Sequence, residues 1–303
     1  MKFNYIITIH NKDFMLKKVL DAINENCSRD AKIIPVLDGC TDDSEKIVDE
    51  FSKSSGLNVI KLIANDVHEL KTINTGLSSV TEGVVIILQD DVILKEPKLE
   101  SLIEDLYASS KKKIGLVSMR MALNIKKSSI FYKFKTKFFN NQIQECDMLI
   151  RENDFITGVP KVKNSHFMER MVAIKGPNFI SYDALHEVGI LNEDLAPYGY
   201  DDHELCIRLI QKGYTNGIFP LRFITEEDWG GSRKDPTFSE ASLKIFHRNR
   251  TYIWNKYCNF ILGYWNSRLP NRETSQKFSD YIYIFKEKII NKYLIIKYKG
   301  SRG

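Results

Sequence analysis

The stretch Ile33-Ile34-Pro35-Val36-Leu37-Asp38-Gly39-Cys40-Thr41-Asp42-Asp43-Ser44 runs from an apolar, β-branched segment into a carboxylate, a glycine turn and a cluster of helix-capping residues. It reads as strand, tight turn, helix. The same unit recurs on both sides of it. Residues 3–9, 57–63 and 84–88 are strand-like, and residues 14–26, 43–54 and 68–80 carry apolar side chains at helical spacing. Such alternation makes a mostly parallel sheet with helices on both faces, whose ligands bind beyond the carboxyl ends of the strands. Asp38 and the pair Asp90-Asp91 stand at two of those ends.

Past residue 96 the alternation loosens. A helix is predicted near 98–109 and a strand near 114–121, followed by a basic, aromatic stretch to about 144 that reads as an insertion. The pattern tightens again at 171–174, in a helix over 201–211 and in a strand near 217–224. A long helix over 240–261 and an amphipathic one over 276–296 close the chain. The division expected is one half-domain over 1–110, a second over 111–235 that contains the basic insertion 111–144, and a helical extension over 236–303.

Composition bounds the class. With 43% apolar and 27% charged residues the chain is globular. Its longest wholly apolar runs, such as Val84-Val85-Ile86-Ile87-Leu88, are far short of the roughly 20 residues a membrane span needs. Polar residues come too early at the start for a signal peptide. Five cysteines without a CxxC pair suit a reduced, cytoplasmic protein. The net charge of +5 is unevenly spread: residues 1–110 carry 12 basic and 19 acidic groups, whereas 111–144 carry nine basic and no acidic ones. Local basic segments argue for local anionic contacts rather than for a nucleic-acid binder.

Three motifs carry chemistry. Asp38 can accept a hydrogen bond from a ligand N–H such as that of a pyrimidine base, although Asp38 and Asp42 also suit plain capping and turn formation. Asp90 and Asp91 follow a buried strand, where two negative charges are costly unless a cation compensates them. Mg²⁺ or Mn²⁺ bridging a carboxylate and a diphosphate would do so, and a solvated acidic turn is the competing reading. Asp201 and Asp202 open an amphipathic helix, where acids also complement the helix dipole.

Taken in order, Ile7-Thr8-Ile9-His10-Asn11, Leu37 to Ser44, Asn74-Thr75-Gly76-Leu77, Gln89-Asp90-Asp91, Gly176-Pro177-Asn178 and Asp201-Asp202-His203-Glu204-Leu205 resemble the inverting family 2 glycosyltransferases of GT-A fold. The resemblance covers about residues 3–255. It implies an α/β, Rossmann-like, mixed and mostly parallel sheet flanked by helices, with a C-terminal helical extension. It also implies roles. Asp38 contacts the nucleotide base, Thr8, His10, Asn11 and Asn74 line the donor pocket, and Asp90 faces the ribose. Asp91 binds Mn²⁺ or Mg²⁺ at the diphosphate. Asp202 is the general base on the acceptor hydroxyl, and Asp201 stands where the family usually has Glu, which leaves open which of the two is the base. Asn178 falls on the acceptor side. Many relatives place a His ahead of a Gly-Gly-Ser-like turn; here the segment is Thr225-Glu226-Glu227-Asp228-Trp229-Gly230-Gly231-Ser232. Asp228 is then a candidate metal ligand, and Trp229 a candidate platform for an acceptor sugar.

The activity implied is metal-dependent transfer of a sugar from a nucleotide donor, first of all a UDP-sugar, to a hydroxyl of a glycan or lipid-linked acceptor in surface polysaccharide synthesis. A GT-A-like nucleotidyltransferase and a non-catalytic nucleotide-sugar-binding subunit are the alternatives. Lysines interleaved with aromatics over 111–144, and again over 276–303, suit docking on an anionic membrane surface at the inner face of the membrane. A solvated lysine edge or a homodimer contact would use the same residues.

Overall fold

The computed structural model describes residues 1–127, 143–146, 166–225 and 236–268. Strand β1 (Phe3–Ile9) is buried at every position, as a central parallel strand covered on both faces must be. It lies between β2 (Lys32–Asp38) and β5 (Val84–Gln89), parallel to both. Helix α1 (Asp13–Asn26) joins β1 to β2, and α2 (Ser44–Ser54) leads on to β3 (Asn58–Val59) and β4 (Leu62–Ala64), which both pair parallel to β2. Helix α3 (His68–Leu77) precedes β5.

Beyond β5 come the short β6 (Ile93–Leu94), α4 (Leu99–Ser109) and β7 (Ile114–Ser118), then β8 (Ala122–Lys127) and β9 (Ile143–Cys146), which pair antiparallel. Strands β10 (Met168–Glu169), β11 (Val172–Ala173) and β12 (Asn178–Ser181) are followed by α5 (Tyr182–Val188) and a 3₁₀ turn at Glu193–Leu195. Helix α6 (Asp201–Gln211), β13 (Thr215–Ile218), β14 (Phe223–Ile224) and α7 (Pro236–Arg268) complete the described elements. The main sheet has the order β10-β13-β7-β12-β5-β1-β2-β3, with β4 also on β2. Strand β12 runs antiparallel between β5 and β7, so both halves of the chain share one sheet.

Alternate residues of the strands feed two cores. Tyr5, Ile7, Leu88 and Phe179 pack on the face that carries α1 and α4, and Ile6, Val36, Val85 and Ile180 on the face that carries α3, α6 and α7.

The boundaries differ from the expected ones for identifiable reasons. The strand expected over 57–63 is split at residues 60 and 61. Ile33 pairs with Val59 and Val36 with Leu62, so the break lies opposite Pro35, whose ring leaves no N–H for the ladder. The segment 111–144, read as an insertion, begins with β7, a strand of the main sheet. The helix expected over 240–261 extends from Pro236, a residue suited to a first helical turn, to Arg268. The basic residues 128–142 and the helix expected over 276–296 lie outside the described residues, as do Asp228 and Trp229.

Candidate active site

Four strand and helix ends converge. At the end of β1, Thr8 is buried and its hydroxyl donates to the carbonyl of Leu88 at 3.5 Å, which ties β1 to β5. His10 follows on the surface. Its backbone N–H donates to Asp90 Oδ2 at 2.8 Å and its Nδ1 lies 2.6 Å from the carbonyl of Asp38. One residue thus joins the ends of β5 and β2. Asn11, at a φ of 50°, accepts the N–H of Thr41 at 2.8 Å and holds the loop after β2.

Asp38 is buried, and its Oδ1 accepts the N–H of Val67 at 2.7 Å. Asp42 has the capping role: it accepts the N–H of Asp13 at 2.9 Å and that of Ser44 at 3.1 Å. Among the described residues, His10, Asp38 and Asp66 bring one ligand atom each within 4.8 Å of one another. One oxygen of Asp38 is already engaged there, and His10 and Asp66 are exposed.

Burial raises the Asp90 carboxyl to about 7; the His10 N–H pulls it down and the Asp91 charge adds to the rise. Burial likewise raises Asp91, and Lys12 and Arg120 offset part of that rise. Two partly buried, adjacent carboxylates of hard oxygen donors fit a divalent cation, which would add positive charge to that of Lys12, His10 and Arg120. Asp90 already accepts an N–H, so Asp91 is the better placed ligand.

Helix α6 opens on Tyr200, in the left-handed region at a φ of 65°. Asp201 and Asp202 then turn inward. Asp201 is fully buried, accepts the N–H of Gly199 at 2.9 Å and pairs with Lys175 Nζ at 3.0 Å. Asp202 Oδ1 accepts from the backbone N–H of His203 at 2.8 Å and lies 2.6 Å from His203 Nδ1, while Oδ2 accepts the N–H of Lys175 at 3.1 Å. Burial works against the charged form of Asp202, but His203 and Lys175 outweigh it and hold its carboxyl below the usual range. Burial dominates at Asp201 and raises it despite Lys175. The environments of the two acids differ, as two carboxylates with different tasks require.

Lys175 and Glu69 are site residues that the motifs did not mark. Lys175 Nζ is 3.1 Å from Glu69 Oε2, and Gln89 Nε2 donates to Glu69 Oε1 at 3.2 Å. Through Glu69 the two acidic pairs share one electrostatic neighbourhood: its charge raises Asp91, and Asp202 raises Glu69. An ion pair between residues 69 and 175 has no local signature; the only hint was a lysine set directly before Gly176-Pro177.

The two asparagines are placed differently from the rest. Asn74 spends its amide on the backbone of Leu191, at 2.9 and 3.1 Å, and on Glu193. Asn178 is buried on β12 and lines a cavity of about 20 Å³ with Lys175, Asp201 and Asp202, its Oδ1 without a partner.

Residues 5–135 match the family model described as glycosyl transferase family 2. No curated protein sequence matches the chain significantly. Among solved structures, TarS of S. aureus superposes with a TM-score of 0.52 at 13% identity, over 96% of this chain and 49% of TarS. This chain therefore spans about half the length of TarS. The mannosyltransferase PcManGT of Pyrobaculum calidifontis, solved with GDP-Man and Mn²⁺, gives 0.50 at 13% identity over 96% and 86% of the two chains. GalNAc-T7, solved with UDP, GalNAc and Mn²⁺, gives 0.60 at 13% identity over 86% and 49%. A mixed, mostly parallel sheet with acids at its strand ends and these neighbours agree on the architecture: the chain has the GT-A fold, and its residues 5–135 are similar to glycosyl transferase family 2.

Proposed function

We propose that the protein is a metal-dependent inverting glycosyltransferase that moves a hexosyl or N-acetylhexosaminyl group from a nucleotide sugar to an acceptor hydroxyl. The observation that carries the reading is the arrangement of Asp202: a carboxylate held below the usual range by fixed partners, in the same electrostatic neighbourhood as Asp91. A non-catalytic binding subunit has no use for such a group. Asp38, with Thr8, His10 and Asn11 around it, is assigned the base and ribose end of the donor, and Asp90 the ribose. The amide of Asn74 is engaged elsewhere, so its part is to hold the 191–193 segment. Asp91 would hold Mn²⁺ or Mg²⁺, which when bound offsets charge on the diphosphate leaving group.

The protein's own residues supply the rest. Asp202 takes the proton of the acceptor hydroxyl. Attack from the face opposite the diphosphate then inverts the anomeric carbon, and no nucleophilic side chain is required. Asp201, fully buried and paired with Lys175, is unsuited to meeting an acceptor, which favours Asp202 as the base. UDP is the first nucleotide to test, since GalNAc-T7 was solved with UDP; a GDP-sugar is the second, from PcManGT. A glycan or lipid-linked acceptor of surface polysaccharide synthesis, with Asn178 and Trp229 on its side and Asp228 as a further metal ligand, completes the proposal.

A thermal-shift screen of UDP-, GDP-, dTDP- and CMP-sugars with and without Mn²⁺ tests it. Stabilisation by one nucleotide class that depends on Mn²⁺ and is lost in Asp91→Ala is the expected result. No response to any nucleotide would overturn the reading.

A further inference from the structure

We propose that Lys175 is a positioning residue for the transfer: its ammonium ties Glu69 to Asp201 while its backbone N–H fixes Asp202, so that one lysine sets both the orientation and the charge of the base. The proposal rests on the reading of Asp202 as that base. Lys175 stands in the segment between β11 and β12, and its side chain is 16% exposed. Its Nζ is shared between both oxygens of Asp201, at 3.1 and 3.0 Å, and Oε2 of Glu69 at 3.1 Å. A lysine side chain is among the most costly to immobilise. Held at its tip by two acids from different helices, it anchors the stretch of backbone whose N–H reaches Asp202 Oδ2 at 3.1 Å.

The groups that face Asp202 come from every element around it. His203, Asp201 and the Cys206 thiol lie on its own helix, Lys175 on the segment leading to β12, and Glu69 on α3. Two of these are further carboxylates that oppose its ionisation. Lys175 is the lysine that faces all three acids, and with His203 it favours the charged, proton-accepting form. Removing the ammonium leaves three carboxylates together, and the charged form of Asp202 keeps His203 and the backbone N–H of residue 175 but loses the lysine's charge. The base then gives up its proton only at higher pH. Asp201 thereby acquires a purpose that its burial otherwise denies it: it is the anchor for Lys175 at the start of α6.

The test is the acid limb of the pH–rate profile for nucleotide release from UDP-GlcNAc and GDP-mannose with Mn²⁺, water serving as acceptor. Lys175→Met should move that limb up by about one pH unit, a roughly tenfold loss of rate on the acid side, with the donor KM little changed. Lys175→Arg should restore the wild-type limb. Glu69→Gln should move it the other way, because it removes a charge that opposes ionisation. A limb that stays in place in both Lys175→Met and Glu69→Gln would overturn the proposal. Melting curves supply a readout that needs no substrate: the deficit of Lys175→Met should be largest near pH 8 and shrink towards pH 5 as the uncompensated carboxylates protonate. A deficit independent of pH means a merely structural lysine and also overturns it. If Lys175→Met does not fold, Glu69→Gln alone carries the test. Asp202→Asn separates the two readings. If it retains turnover, the base assignment is lost and this proposal with it; if it is inactive while both limbs stay in place, Lys175 alone is wrongly assigned.

Discussion

Asp90 shows what a buried carboxylate costs its protein. Its carboxyl is raised to about 7 chiefly by burial, whereas in the unfolded chain it titrates near the ordinary value of about 3.9. A group whose folded value is raised contributes its stability below the unfolded value and loses it as the pH rises through the folded one. The metal-free protein should therefore lose stability between about pH 4 and 7. Asp90→Asn is expected to raise the melting temperature in EDTA at pH 8 and to change it little near pH 4, well below the folded value. Three pH units correspond to about 4 kcal/mol, and partial exposure of the carboxylate brings the expected gain to about 2. An equal effect at pH 8 and pH 4 would mean that burial does not set this carboxyl. The sequence made Asp38, Asp90, Asp91 and Asp202 legible because each ends or begins an element with a strong local pattern. Glu69, Lys175 and His10's bond to Asp90 were not legible as a network, because they are joined by folding across tens of residues and leave no spacing to read.

At the scale of elements, helix α7 does more than cover the sheet. Asn249 is fully buried, and its Nδ2 lies 2.7, 3.0 and 2.8 Å from the carbonyls of Leu195, Tyr198 and Gly199. Gly199 in turn gives its N–H to Asp201. The C-terminal helix therefore holds the loop from which the helix bearing the candidate base starts. Asn249→Ala leaves buried carbonyls without a donor and is expected to cost about 2 kcal/mol, measured by urea unfolding, and to lower turnover more than donor binding. Gly199→Ala should be worse than its size suggests: φ is +91° and an added Cβ would sit 2.5 Å from the ring of Phe246. Helical periodicity announced a long helix here and the structure extends it. Its role was hidden, because an asparagine that caps a loop fifty residues earlier looks like any polar residue on an amphipathic helix.

For the whole molecule, the uneven charge is the feature with the widest consequence. Acid dominates residues 1–110, which hold Asp38, Asp90 and Asp91, and base dominates 111–144. The fold qualifies this division, since β7 carries part of the basic segment into the core and Lys112 and Lys113 pair with Glu169 and Glu187. A sum of charges cannot tell a lysine that closes a local ion pair from one that faces a partner. Charge that remains for docking lies in Lys126, Lys127, Lys133, Lys135 and Lys137 and in the tail, where Lys286, Lys288, Lys292, Lys297 and Lys299 accompany apolar residues at helical spacing. Among the described residues no helix is long and apolar enough to cross a membrane. Lysines near an anionic leaflet are worth about 1 kcal/mol each, and the five of the tail together would hold the protein there at low salt. The full chain is expected to sediment with vesicles containing phosphatidylserine but not with phosphatidylcholine alone, and to be released as salt rises. Deletion of residues 276–303 should abolish that sedimentation while leaving Mn²⁺-dependent nucleotide-sugar binding intact. Equal sedimentation of both proteins would move the docking surface to residues 111–144, and its absence in the full chain would leave the basic segments to an acceptor phosphate or a second subunit.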